Sequence, residues 1–184
     1  MKTPDIDAPD EARGRHPGPS WSDLLLLPAI GLSLAAAAIH FAVASEHFSE
    51  YWLFGLFFAG IAWFQALWPV ALVRFRTSVI PTLGIVVNLG TVALWVWTRA
   101  IAIPIGPQAG EREPAGLADI AATGFEVLLV CLLVGLIVPG LRSTLDRRAP
   151  RSAWLGSIAW VVLVIWITTF VLATHGNDIM VMTH

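Results

Sequence analysis

The stretch LADIAATGFEVLLVCLLVGLIV, residues 117–138, decides the fold class of this chain. Only Asp119 and Glu126 are charged in it, and a helix of about 20 mostly apolar residues crosses a hydrocarbon core of about 30 Å. A transmembrane strand would be half as long and would alternate in polarity. Four similar stretches occur at residues 23–44, 51–73, 79–99 and 154–174. The sequence therefore predicts an all-α integral membrane protein, a bundle of five transmembrane helices.

The overall composition supports a location in the lipid bilayer. Of the 184 residues, 57% are hydrophobic and 13% are charged, whereas soluble domains have about 45–50% apolar and about 25% charged residues. The net charge of −2 leaves no basic surface for nucleic acid. The single cysteine, Cys131, excludes an intramolecular disulfide and a CxxC motif. We interpret it as a small buried hydrophobic residue.

Three segments follow from this pattern. Residues 1–21 are polar, acidic and proline-bearing, which predicts a disordered tail rather than a signal peptide. Residues 22–175 form the predicted five-helix domain, and residues 176–184 form a short tail at its far end. The sequence indicates no internal repeat and no second domain.

The basic residues predict the orientation of the bundle. Nine of the eleven lie on one side of the predicted spans: Lys2, Arg13, Arg15, Arg74, Arg76, Arg142, Arg147, Arg148 and Arg151. The positive-inside rule places this side in the cytoplasm. The N-terminus is then cytoplasmic and the C-terminus outside. Arginine in place of lysine, together with frequent alanine, is typical of bacterial genomes rich in G and C, so we expect a bacterial plasma membrane.

A few polar residues interrupt the predicted spans, and all the ionisable ones lie in the outer half. Polar residues at bilayer depth are rare and usually face the interior of a bundle. Helical periodicity puts His40 and His47 on one face of the first helix, if the helix continues past residue 44. In the same way Asn88 and Arg99 share a face of the third helix, and Asp119 and Glu126 share a face of the fourth. His175 ends a polar face of the fifth.

These residues suggest a metal site, with His40, His47, Glu126 and His175 as ligands. Imidazole and carboxylate suit copper, zinc, iron and haem-type centres, so copper or haem would be the cofactor. The alternative is that the same residues only make structural contacts between helices. No HxxxH, ExxH or CxxC spacing is present.

Glu126 needs a partner, because a lone carboxylate inside the bilayer is very costly. Arg99 and His40 are the available cations, and an ion pair between Glu126 and Arg99 would lock the third helix to the fourth. Gln65 and Asn88 lie at similar mid-membrane depth, which predicts an interhelical hydrogen bond between their amides. Asn88, Arg99, Glu126 and Gln65 could equally hold a bound ligand.

The order of these motifs resembles a group of uncharacterised bacterial polytopic membrane proteins. The group combines H-x6-H at 40–47, a glutamine in the next span, N…W-x-x-x-R at 88–99, a G-P loop and D-x6-E at 119–126. The resemblance covers the first four spans. It implies that His40, His47, Gln65, Asn88, Arg99, Asp119 and Glu126 form one constellation, and it implies no activity.

The sequence is compatible with three functions. The first is a membrane protein with an outward-facing polar site for a transition metal or a small polar ligand. The second is a non-catalytic accessory or scaffold subunit, with other membrane subunits or further copies of itself as partners. The third is a proton-coupled transporter using Glu126 and His40, although the apolar cytoplasmic half offers no polar path. A membrane enzyme also stays open, although the sequence contains no nucleophile–base motif and no nucleotide-binding loop.

Overall fold

The computed structural model describes residues 19–75, 77–150 and 152–182. These residues contain six α-helices and no strand: α1 Trp21–Glu50, α2 Trp52–Arg74, α3 Val79–Ala100, α4 Leu117–Ile137, α5 Pro139–Leu145 and α6 Ala153–Met182. All except α5 are long and apolar enough to cross a membrane. The prediction of an all-helical protein with five membrane-spanning helices is confirmed. The predicted disordered tail falls almost wholly outside the described residues.

The first helix is longer than predicted. The predicted first span ended at residue 44, but α1 continues without a break to Glu50, and the extended residue Tyr51 follows it. Ser49 Oγ donates to the carbonyl of Ser45 at 3.0 Å, one turn back along the helix. A fall in hydropathy marks the edge of the bilayer, whereas a helix ends only where its backbone hydrogen bonds end. His47 is therefore helical and shares a face with His40.

The helix α1 occupies the centre of the bundle. It packs against α2, α4 and α6, and its contact face carries small residues such as Ala29 and Ala36, both fully buried. Small side chains let helix backbones approach closely in membranes, where dispersion contacts drive association. Leu32, Leu129 and Leu133 complete this core and are also fully buried. The prediction for Cys131 is wrong, because it lies on an exposed face of α4.

The ends of the bundle differ in how their helices are joined. At one end, residues 101–116 form a long loop between α3 and α4; we call this the loop end. At the opposite end, the short helix α5, which the sequence did not predict, leads back towards the start of α1. There Ser22 Oγ donates to Asp146 Oδ1 at 2.9 Å, and the N–H of Trp21 donates to the carbonyl of Arg147 at 3.2 Å.

The helices α2 and α3 touch mainly near the opposite end. Trp68 Nε1 of α2 donates to the carbonyl of Ile80 in α3 at 2.9 Å, and its indole ring lies directly against the backbone of Gly84. Towards the loop end these two helices diverge. This divergence leaves room for a cavity between them.

Candidate functional site

Four buried polar side chains, one from each of α1 to α4, meet inside the bundle. His40 is 5% exposed, Glu126 1%, and Gln65 and Asn88 are fully buried. His40 Nε2 lies 3.1 Å from Glu126 Oε1, and Gln65 Nε2 donates to the same oxygen at 2.7 Å. Gln65 Nε2 also donates to Asn88 Oδ1 at 3.1 Å. The structure thus has the amide hydrogen bond that the sequence predicted, and it extends this bond into a network that includes His40 and Glu126.

The backbone holds this network in place on two sides. Asn88 Nδ2 donates to the carbonyl of Gly84, one helical turn back, at 2.7 Å. Ser33 Oγ of α1 donates to the backbone carbonyl of Gln65 at 2.7 Å. The first bond fixes the side-chain amide of Asn88, and the second fixes the backbone that carries Gln65.

His40 faces Glu126 with one of its two ring nitrogens. Glu126 Oε1 accepts from Gln65 and lies 3.1 Å from His40 Nε2. In the neutral tautomer with its N–H on Nε2, His40 donates to this oxygen and Nδ1 carries a lone pair. His40 Nδ1 is buried and has no hydrogen-bond partner among the described residues. A carboxylate that fixes one imidazole nitrogen and leaves the other available as acceptor or base recurs in many binding and catalytic sites.

A cavity of about 460 Å³ reaches down to this network from the loop end. His40 and Glu126 line its deep end. Its walls are largely apolar and aromatic: Phe54, Phe57 and Phe58 from α2 and Trp95 from α3. A volume of this size is typical of small-molecule sites, which combine apolar walls with a few convergent polar groups.

Arg99 closes the loop end of this cavity. Its guanidinium donates to Glu113 Oε2 at 3.0 Å and to Asp119 Oδ2 at 2.8 Å, and it lies 5.0 Å from the ring centroid of Trp95. Glu113 belongs to the 101–116 loop, so this ion pair ties the loop to α3. The alternative of an ion pair between Glu126 and Arg99 is wrong. Of the two candidate partners, His40 is the one that contacts Glu126.

His47 lines the same cavity as His40 but makes different contacts. Its Nδ1 lies 3.1 Å from Glu50 Oε2, and its ring stacks on Phe58 with centroids 4.0 Å apart. His175 is placed elsewhere, with Nε2 3.5 Å from Glu46 Oε2. It lines a neighbouring cavity of about 580 Å³.

The metal hypothesis gains no support from this arrangement. His40 and Glu126 meet, but His47 and His175 have carboxylate partners of their own. Among the described residues, no three His, Cys, Asp or Glu side chains form a group that could hold a metal ion. Bound copper or haem therefore stays a prediction from sequence.

Comparison with protein-family models, curated proteins and solved structures gives no match. The function must therefore be argued from the site itself.

The charge of the cavity limits what it can bind. Its lining includes four carboxylates, Glu50, Glu113, Asp119 and Glu126, and one guanidinium, Arg99. An anionic ligand would meet net repulsion in a medium of low dielectric constant. The free Nδ1 of His40 calls for a hydrogen-bond donor. The cavity therefore disfavours anions, and its apolar walls suit a mostly apolar molecule with a hydroxyl or N–H group.

Proposed function

We propose that this protein binds a small, mostly apolar molecule in a cavity within the outer leaflet of a bacterial plasma membrane. One observation carries the proposal: the buried His40–Glu126 pair stands at the deep end of a cavity, with His40 Nδ1 unpartnered. An unpartnered buried acceptor costs about 1–3 kcal/mol, which a ligand that donates to it would recover. Because His40 lines the cavity, a ligand there can reach this atom.

The orientation of the site rests on charge. The described residues Arg74, Arg142, Arg147 and Arg148 all belong to the end opposite the 101–116 loop. By the positive-inside rule this end is cytoplasmic, so the cavity opens towards the outer side of the membrane. The N-terminus is then cytoplasmic and the C-terminus outside.

Cysteine labelling tests this orientation. In a Cys131→Ala background, Ala109→Cys places a thiol in the exposed 101–116 loop and Ser143→Cys places one in α5, at the opposite end. We expect a membrane-impermeant maleimide to label Ala109→Cys in intact cells and Ser143→Cys only after permeabilisation. The reverse pattern would place the cavity on the cytoplasmic side.

Mass spectrometry of the purified protein tests ligand binding. We expect an organic extract of the wild-type protein in lipid nanodiscs to contain a small molecule at near-stoichiometric amount. His40→Leu should lose most of it, because leucine has no atom that can accept a hydrogen bond, while Gln65 still donates to Glu126.

His175→Leu is the matched control, since it removes a histidine–carboxylate contact outside this cavity. It should retain the molecule. If wild type and His40→Leu carry the same small molecules, the ligand-binding proposal fails. A protein that instead purifies with another membrane subunit, and loses it with His40→Leu, would favour the accessory-subunit alternative.

A further inference from the structure

The cavity reaches the side of the bundle as well as its loop end. Near the opposite end, α2 and α3 are joined by the Gln65–Asn88 and Trp68–Ile80 hydrogen bonds. Between this junction and the loop, the cavity is lined on α2 by Leu56, 53% exposed, and on α3 by Leu94, 37% exposed. Both residues lie within the membrane-spanning helices. The cavity therefore has a lateral opening towards lipid between α2 and α3.

The route from water is narrower, because the 101–116 loop covers the loop end. Ile103, 5% exposed, lines the cavity from this loop. Gly106, with φ of +93°, brings the loop backbone close against the rings of Tyr51 and Phe54. The ion pair of Arg99 with Glu113 fastens the loop to α3 at 3.0 Å. A ligand that dissolves in the bilayer can therefore enter without opening the loop.

The charged groups that line the cavity limit which lipids can enter it through this opening. A phospholipid would bring its phosphate close to four carboxylates, with one guanidinium that two of them already occupy. Burying a phosphate there is unfavourable. A headgroup without a phosphate therefore suits this cavity better.

The aromatic side chains that line the cavity favour a ligand with a flat ring as its headgroup. Phe57, Phe58 and Trp95 line the cavity above His40, and the His47 ring stacks on Phe58 with an interplanar angle of 3°. Aromatic walls favour planar rings through offset and edge contacts. Below them, His40 Nδ1 accepts a hydrogen bond from a hydroxyl.

From the lateral opening, the charge, the aromatic walls and the free acceptor, we infer that the ligand is a hydroquinone carrying an apolar tail. Its ring lies between Phe57, Phe58 and Trp95, one hydroxyl donates to His40 Nδ1, and the tail leaves between α2 and α3. This inference rests on the proposed function, because it names the ligand class for the same cavity.

Equilibrium binding of a matched ligand pair tests the inference. The probes are a hydroquinone with a ten-carbon tail and its dimethyl ether, which keeps the ring and tail but has no hydroxyl donor. In phosphatidylcholine nanodiscs under reducing conditions, we expect the wild-type protein to bind the hydroquinone saturably. The ether should bind about tenfold more weakly, a typical loss for one buried hydrogen bond.

Protein variants then show which residues cause the difference in affinity between the two probes. In His40→Leu the hydroquinone and its ether should bind within about twofold of each other, because leucine has no hydrogen-bond acceptor. Leu94→Trp should weaken both probes by narrowing the lateral opening. His175→Leu should bind both like wild type. The comparison of the two ligands on the wild-type protein needs no variant. It therefore still tests the inference if one of the variants fails to fold.

The outcomes separate this inference from the proposed function. If the hydroquinone and its ether bind wild type equally, or neither binds while another small molecule purifies with the protein, the hydroquinone inference is wrong and ligand binding stands. If phosphatidylglycerol occupies the cavity, the charge argument is wrong. If the protein purifies with no small molecule and binds neither probe, both proposals fail.

Discussion

Replacing Glu126 with leucine is expected to lower the free energy of unfolding by roughly 2–6 kcal/mol. The substitution removes the acceptor of two buried donors, Gln65 Nε2–H and His40 Nε2–H, and each buried donor left without a partner costs about 1–3 kcal/mol. Neither donor can reach water easily, because Gln65 is fully buried and His40 is 5% exposed. Unfolding of the purified protein with increasing SDS in mixed micelles measures the change.

Glu126→Gln is the control for this substitution. Its amide oxygen can accept from both neighbours, so the donors stay satisfied and only the charge is lost. We expect Glu126→Gln to lose less than half of what Glu126→Leu loses. Polar contacts between membrane helices average only about 0.6 kcal/mol, because the unfolded state also finds partners. If Glu126→Leu falls within that average, the network does not stabilise the bundle.

The sequence predicted the helices well because each span is a continuous apolar run. It missed α5 because residues 139–145 make a helix too short and too polar to stand out from a loop. Pro139 at the first helical turn favours this helix. It also misplaced the end of α1, where His47 and Glu50 interact at i,i+3 on the helix surface rather than in a loop. Both errors arise from equating a helix with its apolar part.

The site was partly predictable. Asn88 and Arg99 share a face of α3, and Asp119 and Glu126 share a face of α4. The helices run antiparallel, so Arg99 lies level with Asp119, and its guanidinium binds that carboxylate at 2.8 Å. Glu126 comes seven residues after Asp119 and therefore lies deeper in the bundle than Arg99. This difference in depth could have excluded an ion pair between Arg99 and Glu126. The ion pair of Glu113 with Arg99 was not predictable, since a loop glutamate is most simply a solvated charge.

The cavity itself could not be predicted from sequence. It exists because α2 and α3 touch near one end and diverge towards the other, and this depends on the shapes of Trp68 and Gly84 where they meet. A tryptophan next to a glycine on a neighbouring helix leaves no pattern in either helix alone. The helical spacing of polar residues predicts which side chains face inward, but it does not predict the space between them.

Gly84→Ala is expected to destabilise the protein by about 1–3 kcal/mol, the usual cost of overpacking a well-packed contact. A Cβ at position 84 would overlap the indole ring of Trp68. The ring cannot swing away cheaply, because Trp68 is 4% exposed and its Nε1 donates to Ile80 at 2.9 Å. The substitution therefore forces α2 and α3 apart or breaks this hydrogen bond. The thermal midpoint in detergent measures the loss.

Gly90→Ala on the same helix is the matched control. A Cβ at Gly90 meets no atom within 4 Å, and alanine is the better helix former, so stability should stay equal or rise slightly. The double variant Gly84→Ala with Trp68→Phe should recover part of the loss, because a phenyl ring lacks the atoms that the new Cβ would meet. If Gly84→Ala and Gly90→Ala have the same midpoint, close contact at Gly84 does not hold α2 against α3. The divergence of these helices, and the cavity it leaves, would then need another cause.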